Sequence, residues 1–287
     1  MTLLVGASPP PATERLTPRT LVGVEARRFA RHPLFLTGVA LLVASMATAS
    51  DDLDATVNEA GFLPAVFLGV FGTVVAHQLV TSMDRSADAA DASPTGRAAR
   101  TVALCTACLV PGAVAVAWLA WMYVAMAVWP VPASPAYSSL ELAAMLTAGV
   151  VYAIGGPLVG VAVARWVRMP GAGVLAALLL VGWGLLGTVG LSLPPSTLGT
   201  LARLHAPFAA WVSSDGPGAE LWLSGGSPAW YLMYVTLLCG LAATVAELHD
   251  TTGARRARVT RTIVALVVLA LVSLVLAVTD DPTRIPL

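Results

Sequence analysis

The chain has 287 residues, of which 57% are hydrophobic and 11% charged, and its formal net charge is zero. Soluble domains carry about 25% charged residues, so a water-soluble fold is excluded, and a neutral chain offers no overall field to nucleic acid. All 16 basic residues are arginines; with no lysine there is no Walker A phosphate loop and no Schiff-base chemistry.

Residues 1–18 are Pro-rich and too weakly apolar for a cleaved signal peptide, and read as a disordered tail. From 19 to 32 the pattern predicts an amphipathic interfacial helix. Val22, Ala26 and Phe29 recur at helical spacing toward lipid, and Glu25, Arg28 and Arg31 form a charged side. Apolar blocks follow at Pro33–Ala49, Phe62–Thr81, Thr101–Trp129, Leu140–Ala164, Gly173–Leu191, Ala229–Glu247 and Thr262–Thr279. Several reach the roughly 20 residues that cross a bilayer as a helix. The fold class is therefore an all-α integral membrane protein, a polytopic bundle of six to seven transmembrane helices over 33–279, with a C-terminal tail at 280–287.

Between the second and third spans, Ser82–Arg100 has a helix-compatible Ala-rich run that breaks at Ser93-Pro94-Thr95-Gly96. Asp84, Asp88 and Asp91 share a face there, with Arg85, Arg97 and Arg100 alongside, a charged surface that a merely solvated helix also shows. In the third span Cys105 and Cys108 spell CxxC, but no second pair or histidine stands near, so they read as core residues rather than metal ligands. Pro111 predicts a kink. The fourth span carries a stripe of small residues, Gly149, Ala153, Gly156, Gly160 and Ala164, at which another backbone can approach closely, and Pro157 predicts a second kink. Gly182, Gly184 and Gly187 spell GxGxxG without the strand or the acidic residue of a dinucleotide site, and read as helix packing. In the long loop Ser192–Pro228, the stretch Ser196–Trp211 predicts a short helix capped by Ser196. Its Leu198, Leu201, Leu204 and Phe208 form one apolar face on the membrane surface or dipping into it.

With the tail inside, fourteen arginines fall on the cytoplasmic side and only Arg203 and Arg284 outside, as the positive-inside bias requires. Trp129, Trp222, Trp230 and Tyr231 read as an outer aromatic belt and Trp166 as an inner one. The predicted orientation has a cytoplasmic N-terminus and an external C-terminus, in the cell membrane. His77 with Gln78, and Glu247, His249 and Asp250, lie near the inner interface, where solvation or pairing with arginines explains them better than a proton relay. The inner connection Leu248–Arg261 reads as a Gly-broken run of arginines against lipid headgroups. No span contains an HExxH pair or a catalytic dyad, so an enzyme is not expected.

Three stretches, Glu25-Ala-Arg-Arg-Phe-Ala-Arg-His-Pro33, Arg85–Arg100 with its Ser93-Pro94 break, and Pro228-Ala-Trp-Tyr-Leu-Met-Tyr234, resemble the membrane subunit of type-two ABC exporters. This permease family includes bacterial drug, antibiotic and polysaccharide exporters. The resemblance implies half of a translocation pathway, completed by a second permease chain, identical or related, and driven by two copies of a separate ATPase that bind ATP and Mg; this chain itself would hold no cofactor. It places docking on the ATPase at Glu25–Arg31 and Asp84–Arg100, and re-entrant structure at Ser196–Trp211. The family has six spans with both termini inside, so the seventh span departs from it. A non-transporting membrane anchor or assembly subunit is the competing class, distinguished by the lack of an ATPase gene beside it. A secondary transporter is the third, and would show an inverted repeat that the sequence lacks.

Overall fold

The computed structural model describes residues 18–45, 61–85, 96–128, 139–189, 196–214, 221–279 and 285–286. Helix α1 (Pro18–Ala30) opens at a proline, whose fixed φ suits a first helical turn, and stops before His32-Pro33. Pro33 disfavours helical geometry at His32, and α2 (Pro33–Ser45) begins afresh there. Its 13 residues extend about 20 Å, short of the Ala49 expected from sequence; residues 46–49 lie outside the described set. A π-helical turn at Ala65–Val70 leads into α3 (Phe71–Arg85).

The long third span is divided into α4 (Arg97–Ala107) and α5 (Leu109–Val128). Pro111 is the physical cause, since it has no N–H to give the carbonyl four residues back and its ring crowds that carbonyl. The carbonyl belongs to Ala107, where α4 ends. Helix α6 (Ser139–Trp166) runs unbroken through Pro157. The Pro157 ring is seated against α3, where a Cβ added at Gly72 would lie 2.6 Å from it. Helices α7 (Ala172–Val189), α8 (Thr197–Leu204), α9 (Pro228–His249) and α10 (Gly253–Thr279) complete the helical part.

Five apolar stretches are long enough to cross a membrane: Gly61–Met83, Arg97–Val124, Leu140–Trp166, Pro228–His249 and Gly253–Thr279. Helices α2 and α7 are shorter apolar helices, and together they make the protein a multi-pass membrane protein. One departure from the all-α expectation is a small antiparallel sheet. Strands β1 (Val212–Ser214) and β2 (Leu221–Leu223) form a hairpin, and β3 (Ile285–Pro286) pairs with β2. Residues 285–286 of the expected tail thus lie at the same end of the bundle as the loop joining α7 to α9.

Helix α6 is the centre, packed against α9, α3 with its π-helical turn, α5 and α7, and α10 is added on the far side of α9. The small-residue stripe of α6 includes two glycines at which a neighbouring backbone comes close. A Cβ at Gly156 would drive into the carbonyl of Gly69, and one at Gly160 into that of Thr73, so α6 meets the π-helical turn and the first turn of α3 backbone to backbone. Ala153 and Gly149 are buried along the same helix. Gly184 and Gly187 serve a different neighbour from the one expected: a Cβ at either would strike Phe208 or Ala206, residues of the loop rather than of a spanning helix. Leucines and valines of α7 and α10, among them Leu178, Leu186, Val264 and Leu271, are exposed, a surface fit for lipid.

Candidate functional site

The described arginines gather at one end of the bundle, with Arg203 the exception. There α1 lies against α4, α3 and α5. Phe29 is fully buried, edge-on to Phe35 with ring centroids 5.2 Å apart. The stripe expected to face lipid therefore faces protein at Phe29, while Val22 and Ala26 are half-buried. Glu25, expected on the charged side, is also buried, and Arg28 one turn on donates two hydrogen bonds of 3.1 Å to it. Arg28 also donates to Ser82 of α3 at 3.1 Å, and Arg31 is exposed. Asp84 and Arg85 end α3; Asp88 and Asp91 lie outside the described residues.

Arg97 and Arg100 open α4 and line a cavity of about 750 Å³ shared with residues the sequence had scattered. Its walls include His77, Gln78 and Thr81 of α3, Arg165 of α6, Arg168 in the connection to α7, Gly173 of α7, and His249 and Asp250 at the end of α9. Arg100, Arg165 and His77 are buried, whereas Arg97 and Arg168 are exposed.

Asp250 is the organising group. Its carboxylate accepts a short hydrogen bond from Thr101 of α4, meets the Arg165 guanidinium of α6 at 3.3 Å, and lies 3.0 Å from His249 Nδ1. Burial pushes the Asp250 carboxyl up, but the hydrogen bonds from Thr101 and His249 and the charge of Arg165 together outweigh it, and the acid is held below its ordinary range. Trp166 supports the arrangement, its ring edge-on to His249 and its Nε1 donating to the Val245 carbonyl at 3.0 Å. Glu247 accepts from Arg255 at 2.7 and 3.0 Å. The arginine run is thereby the first two turns of α10 rather than a loop, because Ala and Arg favour helix and the positive φ of Gly253 supplies the turn before them.

At the other end, Ser196 caps α8 as its sequence predicts, its side chain accepting from the Gly199 N–H at 3.1 Å. The helix stops at Leu204, so the four-residue apolar face does not form. Leu198 and Leu201 are exposed, Leu204 is fully buried, and Phe208 lies past the helix end, edge-on to Tyr152 at 5.2 Å. Leu204 is six residues from Leu198, about 240° around a helix, which puts the two on different faces. Tyr231, read as an aromatic-belt residue, is wholly buried, donates to the Ala206 carbonyl at 2.9 Å and accepts from Tyr152 at 3.1 Å. Arg203, not singled out from sequence, is buried over the Trp211 ring at 4.7 Å and donates to the carbonyls of Ala210 and Gly225. Its signal was visible as one of two arginines on the poorly charged side.

Among the described residues, no group of three or more His, Cys, Asp and Glu is placed to hold a metal ion. No family model, no curated protein and no solved structure matches the chain.

Proposed function

We propose that the chain is the membrane-spanning permease subunit of an ATP-driven exporter, with its arginine-rich end in the cytoplasm and its C-terminus outside. The observation that carries this reading is the seating of α1. A helix anchored by buried Phe29 and joined to the end of α3 through Arg28 and Ser82 moves with the bundle. It is a stiff element at the membrane boundary through which an external motor can act. The described spans hold no carboxylate away from their ends, so proton coupling has no relay within them, and the energy source lies on a partner. The partners are two copies of an ATPase, which bind ATP and Mg, and a second permease chain that completes the pathway.

Affinity purification of the protein from its native host, with the mass of the intact complex measured, tests this. Two permease chains with two Walker A ATPase chains are the expected composition. A stable chain active without an ATPase overturns the reading. Within the complex, D88R/D91R should cut recovery of the ATPase about tenfold or more by placing like or unpaired charges at the interface, with membrane insertion unchanged. Full recovery removes that loop from the coupling surface.

A further inference from the structure

The uncovered side of α10 changes character along its length. Val264, Val268, Val272 and Val275 are all exposed and follow one another at three- and four-residue steps, so they stand on one face. Buried Val259, Ala270 and Ala277 lie on the opposite face, the one turned to the protein. Continued backwards by two three-residue steps, the valine face reaches Arg261 and then Arg258, both exposed. Arg255 instead turns to α9, where Glu247 takes its guanidinium at 2.7 and 3.0 Å. Depth agrees with this division. Residues 262–279 extend about 27 Å as helix, against roughly 30 Å of hydrocarbon in a bilayer. With Thr279 at one boundary, Arg261 stands at the other and Arg258 almost one turn outside it, at the level of lipid headgroups.

We propose that Arg258 and Arg261 hold the headgroup of an anionic phospholipid whose acyl chains lie along Val264, Val268, Val272 and Val275. Charge and shape both select that occupant. Residues three apart on a helix are neighbours, so two guanidinium groups reach one phosphate, and their planar forks match its oxygens with paired hydrogen bonds. Beyond them the valines offer only methyl groups. A soluble anion meets the charges and gains nothing from the valines, whereas a zwitterionic lipid meets the valines while its own cation offsets its phosphate. A lipid of net negative charge uses both. A second copy packed face to face here would set the same arginines against each other, since both chains share one orientation in the membrane. The site belongs to the bundle itself and stands whether or not an ATPase acts on it.

Native mass spectrometry of the full-length, detergent-extracted protein tests this, with phosphatidylglycerol and phosphatidylcholine of the same acyl chains titrated in turn. The wild type should retain phosphatidylglycerol adducts in preference to phosphatidylcholine. R258Q/R261Q should weaken phosphatidylglycerol binding about tenfold or more, whereas R256Q, which removes one charge from the same helix off the valine face, leaves it within about twofold. Glycerol phosphate, a headgroup without chains, should not displace the lipid at equal concentration. If the double variant is not recovered as folded protein, R261Q alone carries the expectation with a loss of about fivefold. Equal binding of the two lipids by the wild type, equal losses in R256Q and R261Q, or displacement by glycerol phosphate overturns the proposal. So does a double variant that falls from dimer to monomer with its lipid adducts unchanged, which would give the face to a second copy.

Discussion

Two residues show how differently single positions are constrained. At Gly156 any side chain meets the carbonyl of Gly69, whereas at Gly182 a Cβ meets nothing within 4 Å. G156A should therefore lower the unfolding temperature in detergent by the equivalent of about 1–3 kcal/mol, the cost of overpacking a fitted contact. G182A should not lower it, since Ala replaces Gly in a helix with open space beside it. A pair of equal shifts would show that α6 does not rely on backbone contact. Asp250 carries the pH response. Its folded pKa lies below that of a free aspartate, so the stabilisation is complete above about pH 3.9 and is lost as pH falls further, through the folded value. Thermal stability should be level from pH 7 down to about pH 4 for this group and fall below it. D250N should abolish that fall and cost about 2 kcal/mol at pH 7 by removing the carboxylate charge that Arg165, Thr101 and His249 share. That is less than the roughly 3–5 kcal/mol for breaking a dry buried pair, because the adjoining cavity admits water. An acid-induced fall that persists in D250N would assign it to another group.

Among the elements, α1 tests how far an amphipathic pattern can be read. The periodicity placed Phe29 on an apolar face correctly, but a stripe of apolar residues is the same whether lipid or protein covers it, and only the fold shows that protein does. F29A removes a wholly buried ring, a change worth about 3–5 kcal/mol in a core. Backbone amides of 18–30 should then exchange hydrogen faster while those of α6 and α9 stay protected. Unaltered exchange in α1 would mean that Arg28, through Glu25 and Ser82, holds the helix by itself. Pro111 was legible because its effect is local, and the break falls at the carbonyl that a proline four residues on must crowd. The π-helical turn at Ala65–Val70 was not, since nothing in that apolar stretch distinguishes its wider turn from α-helix. The face of three leucines and Phe208 failed because a stripe of this kind presupposes a helix that continues, and α8 stops at Leu204.

For the molecule as a whole, a bundle of successive apolar helices was legible because each depends on composition along one stretch of chain, although five of them, not the six to seven expected, are long enough to cross a membrane. The arginine cavity was not, although its charges were individually visible. It joins Arg97, Arg165 and His249 from three helices, and no local pattern specifies which ends converge. The pairing of β3 with β2 carries a prediction about topology. With residues 285–286 at the same end as the loop before α9, α10 runs the length of the bundle and is long and apolar enough to cross a membrane. Reporter fusions at the two termini should therefore report opposite sides, cytoplasmic for the first and external for the last. Activity of both in the cytoplasm would remove α10 from the set of spans.

The clasp at Asp250 also has a consequence in time. Thr101 precedes its partner by 149 residues. A ribosome adding roughly 5–20 residues per second therefore releases α4 about 7–30 s before the carboxylate that secures it. During that interval Arg165 has no access to Asp250. The first six membrane helices are laid down in an unfastened state, and the turn after α9 is the point in synthesis at which the bundle can lock. A chain arrested before residue 250 should remain open at this end and be the form presented to membrane quality-control proteases, whereas one arrested only after the clasp can close should resist them.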